Sequence, residues 1–478
     1  MTMTRRVQAK KENSNTEFAV ITYGFLGLFI AMCLYFAYFI TFGAEDFINN
    51  PYNARVSQFS ENVIRGDILS SDGEVLATTQ VSSDGSESRV YPYGRVFAHA
   101  VGYNSNGKAG VELDGNFNML RSHSFALTRL INDFTDTKDQ GDSVVTTLDA
   151  GMQQAAYNAF GNYRGAVVAI EPSTGRILTL MSKPDFEPVS IASNWEALNS
   201  DSDSSVLLNR ATQGLYPPGS TFKILTALEY LNEGGKKSDT FDCQGTYTEN
   251  GFTIHCYGNT AHGQEDLTQA FAKSCNVAFS QAGLSLDLNK YHNLAENMLF
   301  NRDIPTKLSN VKKSSFDLKK GDDPVLVMQT AIGQGNTLVT PLHMAMIAAA
   351  IDNDGIVMEP YIIDKVVNDN GDLVRPNFGD TYGAIVSTED AKKLRKLMRA
   401  VVTDGTGSAL LSENYKAYGK TGSAEYTSDK NATHSWFVGF AKKEDREVAV
   451  AIIMEGAGSG SSHAVPVARA MFDNYFSE

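Results

Sequence analysis

Hydrophobic residues follow three different patterns along this chain. Residues 18–42 form an apolar run without Asp, Glu, Lys or Arg, and its length matches one crossing of a bilayer as a helix. Residues 43–141 contain short strand-like runs that are broken by Asp-Gly and Asn-Gly pairs, which are typical of tight turns. From residue 142 onward, longer strand and helix patterns alternate. The sequence therefore predicts a membrane anchor (18–42), a β-rich spacer, called the pedestal below (43–141), and a larger C-terminal domain (142–478).

The apolar run is predicted to be an uncleaved anchor. It is longer than the apolar core of a secretory signal peptide, and Phe42-Gly43-Ala44 offers no good cleavage site with small residues. A buried core helix is the alternative interpretation of the same pattern. Basic residues precede the run, whereas Glu45 and Asp46 follow it. This asymmetry predicts a cytoplasmic tail (1–17) and an extracytoplasmic C-terminal domain.

The C-terminal domain is predicted to begin and end with strands. Apolar runs and turn signals predict early strands at 144–148, 166–170 and 177–181, and late strands at 417–426, 435–441 and 448–454. Helical spacing and capping residues predict helices at 149–160, 266–273, 276–284, from Pro341 to before Gly355, 387–402 and 466–472. Residues 183–205 are predicted to be a polar loop. Strands on both sides of a helical block indicate one sheet that both ends of the domain complete, which is an α+β or mixed three-layer fold.

Composition and charge narrow the class of partner. The 478 residues are 42% hydrophobic and 20% charged, which is typical of globular proteins. The formal net charge is −14. A surface of this sign argues against nucleic acid as a partner, because the phosphate backbone is recognised by positive charge.

The cysteines leave one question open. Four cysteines are few for an extracellular disulfide scaffold; Cys33 lies in the apolar run and Cys275 in a motif described below. Cys243 and Cys256 lie in a Gly-rich region, where an oxidising compartment would permit a disulfide, and they could equally remain thiols. With His255 they supply three ligands, whereas a closed zinc site needs four, so no metal site is predicted.

The stretch 216–231 carries the first candidate chemistry. A Pro-Pro-Gly break is followed by Ser220 and by apolar residues at helical spacing. Lys223 lies three residues later, so its amine is one turn away on the same helical face. A lysine that is partly desolvated can act as a base and activate a neighbouring serine. The alternative is that Ser220 is a helix N-cap and Lys223 a solvated helix residue.

The spacing by itself is weak evidence. Ser309 and Lys312 repeat the S-x-x-K pattern, but polar residues follow them and no apolar residue would bury the lysine. The Pro-Pro-Gly break and the apolar helix therefore distinguish Ser220 from Ser309 as the candidate nucleophile.

Two later motifs add candidate site residues. Ser274-Cys275-Asn276 places a hydroxyl and a carboxamide at a break between two predicted helices, although S-x-N also occurs at Ser60 and Ser412. Lys420-Thr421-Gly422 occurs once, lies within a predicted late strand and is followed by Ser423. A glycine within a strand allows another chain to approach the backbone. A substrate along this strand would find main-chain hydrogen bonds, a cation and hydroxyl groups.

The order S-x-x-K, S-x-N and K-T-G is the signature of the penicilloyl serine transferases. The chain resembles one branch of them, the class B penicillin-binding proteins, which are monofunctional D,D-transpeptidases of peptidoglycan synthesis. The resemblance implies an antiparallel sheet with helices on both faces and an all-helical part, preceded by a mostly β pedestal and one transmembrane helix. It extends to Arg65-Gly66 and Gly110-Val111-Glu112 in the pedestal. The segments that carry it in the C-terminal domain are Y-P-P-G-S-T-F-K (216–223), A-K-S-C-N-V-A-F (272–279), I-G-Q-G (332–335), G-T-G (405–407) and Y-G-K-T-G-S-A-E (418–425).

The resemblance implies a catalytic role for five residues, namely Ser220, Lys223, Ser274, Asn276 and Lys420, the last of which also belongs to the substrate-binding motif. Ser220 would attack the carbonyl between the two terminal D-alanines of a stem peptide, release D-alanine and form an acyl-enzyme. Lys223 would accept the hydroxyl proton, and Ser274 would pass a proton to the leaving amine. Asn276 would hold the amide of the donor peptide.

The third motif is implied to bind the substrate. Lys420, with the hydroxyls of Thr421 and Ser423, would bind the terminal carboxylate, and Gly422 would leave the strand open to the peptide. Backbone N–H groups of Ser220 and Ser423 would form the oxyanion hole. The amine of a second stem peptide would then resolve the ester and form the cross-link, whereas a β-lactam would leave Ser220 acylated.

The resemblance also implies the partners of this enzyme. These are stem peptides on lipid-linked or nascent glycan, β-lactam antibiotics, and a membrane-embedded glycosyltransferase of the SEDS type; no cofactor is implied. Three related classes are alternatives. A serine β-lactamase would need a deacylating glutamate, and none is evident in the sequence. A β-lactam receptor would need several membrane spans where one is predicted, and a bifunctional synthase would need a glycosyltransferase domain for which residues 43–141 leave no room. A catalytically idle scaffold is a further alternative, and the intact motifs argue against it.

Overall fold

A computed structural model of the chain describes residues 2–39, 62–135, 137–201, 205–425 and 433–477. The chain divides into two units, Met1–Glu61 and Asn62–Glu478. In the first unit the helix α1, Thr2–Tyr38, is described. Its part Thr16–Tyr38 has 23 residues and a mean hydropathy of 2.0, which is long and apolar enough for one membrane crossing. The predicted end of the anchor at Phe42 and the acidic residues after it lie outside the described residues.

The second unit contains strands and helices in alternation. Its strands are β1 Val63–Ile64, β2 Ile68–Leu69, β3 Val75–Val81, β4 Glu87–Val90, β5 Asp139–Gln140, β6 Ser143–Thr146, β7 Gly165–Ile170, β8 Ile177–Lys183, β9 Thr240–Cys243, β10 Thr246–Glu249, β11 Phe252–His255, β12 Gly263–Asp266, β13 Ile356–Met358, β14 Ile363–Val367, β15 Leu373–Pro376, β16 Thr381–Ala384, β17 Lys416–Glu425, β18 Thr433–Lys443 and β19 Arg446–Met454. Its helices are α2 Ala98–Val101, α3 Val111–Asp114, α4 Asn116–Met119, α5 Ala126–Thr135, α6 Ala150–Phe160, α7 Ile191–Ser200, α8 Lys223–Asn232, α9 Leu267–Ala272, α10 Asn276–Leu284, α11 Leu288–Asn297, α12 Pro324–Ala331, α13 Pro341–Asp352, α14 Thr388–Asp404 and α15 Ala464–Tyr475.

A five-stranded antiparallel sheet in the order β17-β18-β19-β7-β8 forms the centre of the C-terminal domain. The early hairpin of β7 and β8 joins the late strands through the pairing of Ile170 with Ala449. Both faces are buried, because Val167 packs in one hydrophobic cluster whereas its neighbour Val168 packs in another. This arrangement confirms the prediction of an α+β fold in which both ends of the domain complete one sheet.

Helices cover both faces of this sheet. On one face α6 and α15 pack against each other, and their apolar residues share a cluster with the sheet. On the other face α13 packs against β7, β18 and β19 as well as against α14. Every residue of α13 is buried, which explains why its sequence is apolar on all sides rather than on one stripe.

A six-stranded sheet in the order β15-β14-β6-β2-β3-β4 lies partly in the pedestal. Its strand β6 pairs in parallel with β2 and antiparallel with β14. The predicted boundary between residues 141 and 142 therefore falls directly before a strand that has neighbours from both segments. The domain boundaries remain a prediction.

A buried charge cluster holds the pedestal elements together. The carboxylate of Glu112 is fully buried and accepts hydrogen bonds at 2.7 Å from Nε of Arg65 and from Nε of Arg89. Burial alone would favour the neutral acid, but the two guanidinium groups hold the pKa of Glu112 below its usual value. The arginine of the Arg65-Gly66 pair is thus anchored by the glutamate of Gly110-Val111-Glu112.

The prediction of a polar loop at 183–205 is wrong for part of that segment. A 3₁₀ turn, Pro188–Ser190, leads into the helix α7. Only Ile191 of this helix is buried, where it packs with Phe186 beside the half-buried Trp195. A helix that buries a single residue leaves almost no apolar periodicity, so the sequence pattern could not indicate it.

Candidate active site

The candidate nucleophile lies on a 3₁₀ turn, Gly219–Phe222, that runs directly into α8. Residues three apart in such a turn stand above one another, so Lys223 follows Ser220 on the same face. The residues at the two capping positions are Pro218 and Phe222. Ser220 is therefore not an N-cap, so the structure does not support the alternative in which this hydroxyl only caps a helix.

Close backbone contacts fix the position of this turn. The Gly219 N–H donates to the carbonyl oxygen of Gly333 at 2.9 Å. A Cβ on Gly333 would lie 1.9 Å from the carbonyl oxygen of Gly219, and a Cβ on Gly219 would lie 2.7 Å from the carbonyl oxygen of Ser423. The turn is thus held between the Gly333 loop and the strand β17, in contacts that leave no space for a side chain.

Lys223 is completely buried, and its amine faces the second motif. Its Nζ donates to the carbonyl oxygen of Ser274 at 2.7 Å and to Oδ1 of Asn276 at 2.7 Å, and lies 3.3 Å from Oγ of Ser274. Burial lowers the pKa of Lys223 to about 8. The side chain is therefore a base that can lose its proton near neutral pH, rather than a solvated helix residue.

The second motif owes its shape to an unusual backbone conformation. Ser274, two residues after the end of α9, has φ +61°, a left-handed conformation that non-glycine residues adopt at a cost. The turn is closed by a hydrogen bond from the Cys275 N–H to the Ala270 carbonyl at 2.8 Å. In this conformation both oxygens of Ser274 face Lys223. Nδ2 of Asn276 donates to the carbonyl oxygen of His255 at 2.8 Å, which fixes the carboxamide.

The third motif lies on β17 and brings a second buried lysine into the site. Nζ of Lys420 donates to the Thr421 carbonyl oxygen at 3.1 Å. Burial, with a smaller effect of the charge on Lys223, holds the pKa of Lys420 well below its usual value. The hydroxyl of Thr421 shares a hydrogen bond with the hydroxyl of Thr406. Because two amines share one buried site, protonation of either is unfavourable until an anion binds.

The structure brings the predicted site residues into one contact network. Direct hydrogen bonds link Lys223 with Ser274 and Asn276, and the contact between Gly219 and Ser423 joins the nucleophile turn to β17. A Cβ on Gly422 would lie 3.1 Å from Cγ2 of Thr221, so this glycine allows the strand to approach the turn.

The second S-x-x-K pair lies outside this network. The hydroxyl of Ser309 donates to a carboxylate oxygen of Asp114 at 2.6 Å, and both Ser309 and Lys312 are exposed. The exposure of Lys312 agrees with the prediction that no apolar residue would bury it.

Two further residues belong to the site although the motif analysis did not place them there. Gly333 backs the nucleophile turn, and Thr406 orients the Thr421 hydroxyl. The N–H of Thr406 also donates to the Ala272 carbonyl oxygen at 3.2 Å, which connects α9 with the third motif. The segments I-G-Q-G and G-T-G contained the signal, but their local sequence does not indicate what they contact.

The cysteine region differs from the sequence-based expectation. The sulfurs of Cys243 and Cys256 are thiols 3.6 Å apart, and Cys275 and His262 complete a group of four side chains that could hold a metal ion. His255 is exposed and directs its Nδ1 to Asn259. The count of three ligands from the sequence included His255, whereas the group in the structure contains His262 and Cys275 instead.

Comparisons with known proteins agree with this fold and site. Residues 165–473 match the penicillin binding protein transpeptidase domain, and residues 65–144 match the penicillin binding protein A dimerisation domain. The peptidoglycan D,D-transpeptidase PbpA of Mycolicibacterium smegmatis is 33% identical over 463 residues, which cover 90% of this chain and 92% of the relative. PbpA of Mycobacterium tuberculosis is 31% identical over 462 residues, 90% of this chain and 93% of that relative.

Solved structures give the same result. The D,D-transpeptidase domain of a peptidoglycan glycosyltransferase from Eggerthella lenta superposes with a TM-score of 0.78 at 31% identity, and covers 87% of this chain and 99% of that one. The imipenem acyl-enzyme of penicillin-binding protein A from M. tuberculosis superposes with a TM-score of 0.76 at 29% identity, with the same coverage. The chain belongs to the penicillin-binding protein transpeptidase family. Within it the protein is a serine-type D,D-transpeptidase of peptidoglycan synthesis, as the motifs predicted.

Proposed function

We propose that Ser220 is the nucleophile of this transpeptidase and that Lys223 is its general base. The observation that carries the proposal is the environment of the lysine, which is fully buried one turn after the serine. With a pKa of about 8, a useful fraction of its amine is neutral near physiological pH and can accept the serine proton. Its contacts to Ser274 and Asn276 hold it in place without an acidic partner at hydrogen-bond distance among the described residues.

The acylation step follows from this arrangement. Oγ of Ser220 attacks the carbonyl carbon between the two terminal D-alanines of the donor stem peptide while Lys223 accepts its proton. The carbonyl oxygen becomes an anion, which the N–H groups of Ser220 and Ser423 stabilise; such donors contribute about a hundred- to a thousandfold in rate. Ser274, 3.3 Å from the lysine amine, passes a proton to the departing D-alanine nitrogen.

The third motif would recognise the end of the donor peptide. Lys420 with the hydroxyls of Thr421 and Ser423 binds the terminal carboxylate, and the arriving negative charge favours the protonated form of Lys420. Gly422 leaves space for the peptide backbone along β17. Asn276, fixed by hydrogen bonds at both ends of its amide, orients the donor.

The second half of the reaction transfers the acyl group. The amine of an acceptor stem peptide attacks the ester at Ser220, and the new amide is the cross-link. A β-lactam mimics the D-alanyl-D-alanine end and leaves the ester in place. Penicillin-binding protein A of M. tuberculosis forms acyl-enzymes with imipenem and with penicillin G. We expect the same adduct here, at Ser220.

Covalent labelling of the full-length protein with a fluorescent penicillin tests the proposal. Ser220→Ala should lose the label, and the labelled peptide of the unchanged protein should contain Ser220. Ser309→Ala is the matched control, because it removes the serine of the other S-x-x-K pair and should keep the label. Persistent labelling of Ser220→Ala would refute the assignment.

We further propose that residues 43–141 form a non-catalytic pedestal and residues 142–478 the transpeptidase domain. The two family matches, 65–144 and 165–473, support this division. We also propose that α1 crosses the membrane with its N-terminus in the cytoplasm, because basic residues precede the span. External protease should then digest the transpeptidase domain in cells without a wall but leave a tag at residue 1 intact.

The glycan polymerase partner is proposed to be a membrane-embedded SEDS glycosyltransferase, reached through the span and the pedestal. The support is the class B character of the chain together with one candidate span. Co-purification after cross-linking in cells tests the pair. A variant with an unrelated transmembrane helix in place of residues 18–42 should recover less of the polymerase, and equal recovery would exclude the span as a contact.

A further inference from the structure

Four side chains that can bind a metal converge directly behind the second catalytic motif. Cys243 ends β9, Cys256 follows β11, His262 precedes β12, and Cys275 is the N-cap of α10. Their ligand atoms all lie within 4.8 Å of one another. The three cysteines are buried and the histidine side chain is 14% exposed. A cluster of this kind is enclosed by protein and has no position open to a substrate.

The distances in this cluster agree with a tetrahedral zinc site. Zinc binds sulfur at about 2.3 Å and imidazole nitrogen at about 2.0–2.1 Å, so a regular tetrahedron puts sulfurs about 3.8 Å apart and sulfur about 3.6 Å from nitrogen. The sulfur of Cys256 lies 3.6 Å from that of Cys243 and 3.8 Å from that of Cys275. The sulfur of Cys243 lies 3.4 Å from Nδ1 of His262. A disulfide would occupy two of these sulfurs and leave the third cysteine and the histidine unexplained.

The surroundings of the cluster favour a cation. The carboxylate of Glu265 is fully buried, lies 3.9 Å from Nδ1 of His262, and accepts no hydrogen bond among the described residues. The ammonium group of Lys273, at 3.8 Å, is its ion-pair partner and is partly exposed. The Ala278 N–H donates to the sulfur of Cys275 at 3.3 Å. Three thiolates beside this buried carboxylate would be costly unless a positive charge lies between them.

The part of the chain that carries three of the four ligands also needs an additional stabilising interaction. Residues 240–266 form two separate two-stranded sheets, β9 with β12 and β10 with β11. Such pairs are marginal on their own in water. Apart from cysteines, only Phe241 and Ile254 of these strands are buried apolar residues. Small lobes of this kind commonly depend on a bound metal for their stability.

We propose that Cys243, Cys256, His262 and Cys275 bind one zinc ion in a closed structural site that positions the Ser274-Cys275-Asn276 motif. Three thiolates and one imidazole are a typical ligand set of structural zinc, and four protein ligands leave no position for a substrate or water. The ion is therefore structural and takes no part in bond making or breaking.

The site acts on catalysis through two connections. Cys275 lies between Ser274 and Asn276, so a metal bond to its sulfur fixes the middle of the motif. Cys256 follows His255, whose carbonyl oxygen accepts the 2.8 Å hydrogen bond from the Asn276 amide. Both neighbours of Cys275 contact the amine of Lys223. Loss of the metal should therefore displace the groups that hold the base.

Metal content provides the first test and does not depend on the proposed function. The full-length protein, purified in detergent under reducing conditions, should contain one zinc per chain by elemental analysis. Cys243→Ser and His262→Ala should each weaken zinc binding at least about tenfold. Cys33→Ser and His255→Ala are the matched controls and should retain the metal. Cobalt in place of zinc should show the visible absorption bands of tetrahedral thiolate coordination.

The effect on acylation provides the second test, and it rests on the proposed role of Ser220. His262→Ala should acylate with a penicillin about ten- to a hundredfold more slowly than the unchanged protein, because small displacements of catalytic groups cost rates of this size. His262→Cys offers a fourth thiolate and should restore both zinc and acylation, with a shifted cobalt spectrum. Cys33→Ser should acylate at the unchanged rate.

Each result decides one part of the proposal. Protein that takes up no stoichiometric zinc, even after equilibration with zinc salt under reducing conditions, would overturn the site. A disulfide between Cys243 and Cys256 in protein taken directly from cells would overturn it as well. Zinc-free variants with full acylation rates would overturn the positioning role alone. Failure of the unchanged protein to acylate would refute the role of Ser220 and leave the zinc measurement intact.

Discussion

Oδ1 of Asn276 accepts a hydrogen bond at 2.7 Å from the buried amine of Lys223, and this contact joins the first motif to the second. The same amine donates to the carbonyl oxygen of Ser274, a residue in a left-handed conformation. This amine is thus held by neutral oxygens, and no carboxylate lies at hydrogen-bond distance from it in the part of the chain that the structure describes. An acidic partner would raise its pKa, whereas neutral acceptors leave the effect of burial dominant.

The acylation rate should depend on pH through Lys223. Burial lowers the pKa of this lysine to about 8. Below that pH the amine is protonated and cannot accept the proton of Ser220, so the second-order rate constant with a penicillin should rise with pH and level off above about 8. A rate constant without a rising limb near this pH would contradict the role of Lys223 as the neutral base.

Lys223→Arg should remove the base while it keeps the positive charge. A guanidinium does not lose its proton in this pH range, so acylation should fall by about a hundred- to ten-thousandfold. Lys312→Arg makes the same change in the exposed S-x-x-K pair and should acylate normally. The measurement is the rate of label incorporation from a fluorescent penicillin. Full speed in Lys223→Arg would mean that another group accepts the proton.

Gly333→Ala should disturb the nucleophile turn. Its Cβ would fall 1.9 Å from the Gly219 carbonyl oxygen, and Gly333 has a φ of +78°, so both the contact and the conformation oppose a side chain. Acylation should fall strongly together with the melting temperature. Gly371→Ala is the control, since Gly371 has a φ of +84° with no atom within 4 Å of the added Cβ.

The control isolates the cost of the backbone conformation. Gly371→Ala should lose about 1–2 kcal/mol of stability from its left-handed conformation and keep its acylation rate. If the two variants acylated equally fast, the contact between Gly333 and Gly219 would not position Ser220.

Thr406→Val should weaken recognition of the substrate carboxylate. Thr406 shares a hydrogen bond with the hydroxyl of Thr421, and a valine would leave that hydroxyl without this partner. The apparent dissociation constant of a penicillin before acylation should rise about tenfold or more, with a smaller change in the acylation step itself. Thr403→Val, at an exposed position of α14, is the control. A loss confined to the acylation step would argue against a role in binding.

Glu112→Gln should destabilise the pedestal. The variant leaves Arg65 and Arg89 buried without their negative partner, and breaking a buried pair in this way costs about 3–5 kcal/mol. Glu87→Gln removes the partner of Lys138 in a partly exposed pair and should cost less than about 1 kcal/mol. Urea unfolding of both variants measures the difference. Equal midpoints would show that the cluster contributes little.

The carboxylate of Glu112 also determines the direction in which the stability of the folded protein changes with pH. The pKa of Glu112 is lower in the folded than in the unfolded protein, because the two arginines favour its charged form. Its contribution is therefore fully present above the ordinary pKa of glutamate and is lost as the pH falls through the folded value. The pH dependence should be weaker in Glu112→Gln over this acidic range.

Local patterns predicted the elements that carry the three motifs. The Pro-Pro-Gly break and the apolar helix located Ser220 and Lys223, because turn formation and helical spacing depend on neighbours within a few residues. The late strand that contains Lys420 was predicted from its local pattern in the same way. The helix α7 was missed because its single buried residue contributes no periodic pattern.

Contacts between residues far apart in the chain could not be predicted from such local patterns. Nothing near Gly333 indicates that it touches Gly219, and nothing near Thr406 indicates that it meets Thr421. The same holds for His262, which lies closer in the chain to Cys256 than to Cys243 but contacts the sulfur of Cys243. Such pairs depend on how whole strands and helices pack, which no local rule specifies.

The sequence by itself thus determined a candidate membrane-spanning helix, the α+β fold and three motifs in their order along the chain, because each depends on local spacing and residue chemistry. Only the tertiary structure decided that Lys223 is buried against Asn276, and that Cys243, Cys256, Cys275 and His262 form one cluster. The physical reason is that desolvation and ligand geometry arise from elements far apart in the chain. They exist only once the sheet, the helices and the small lobe at 240–266 have packed.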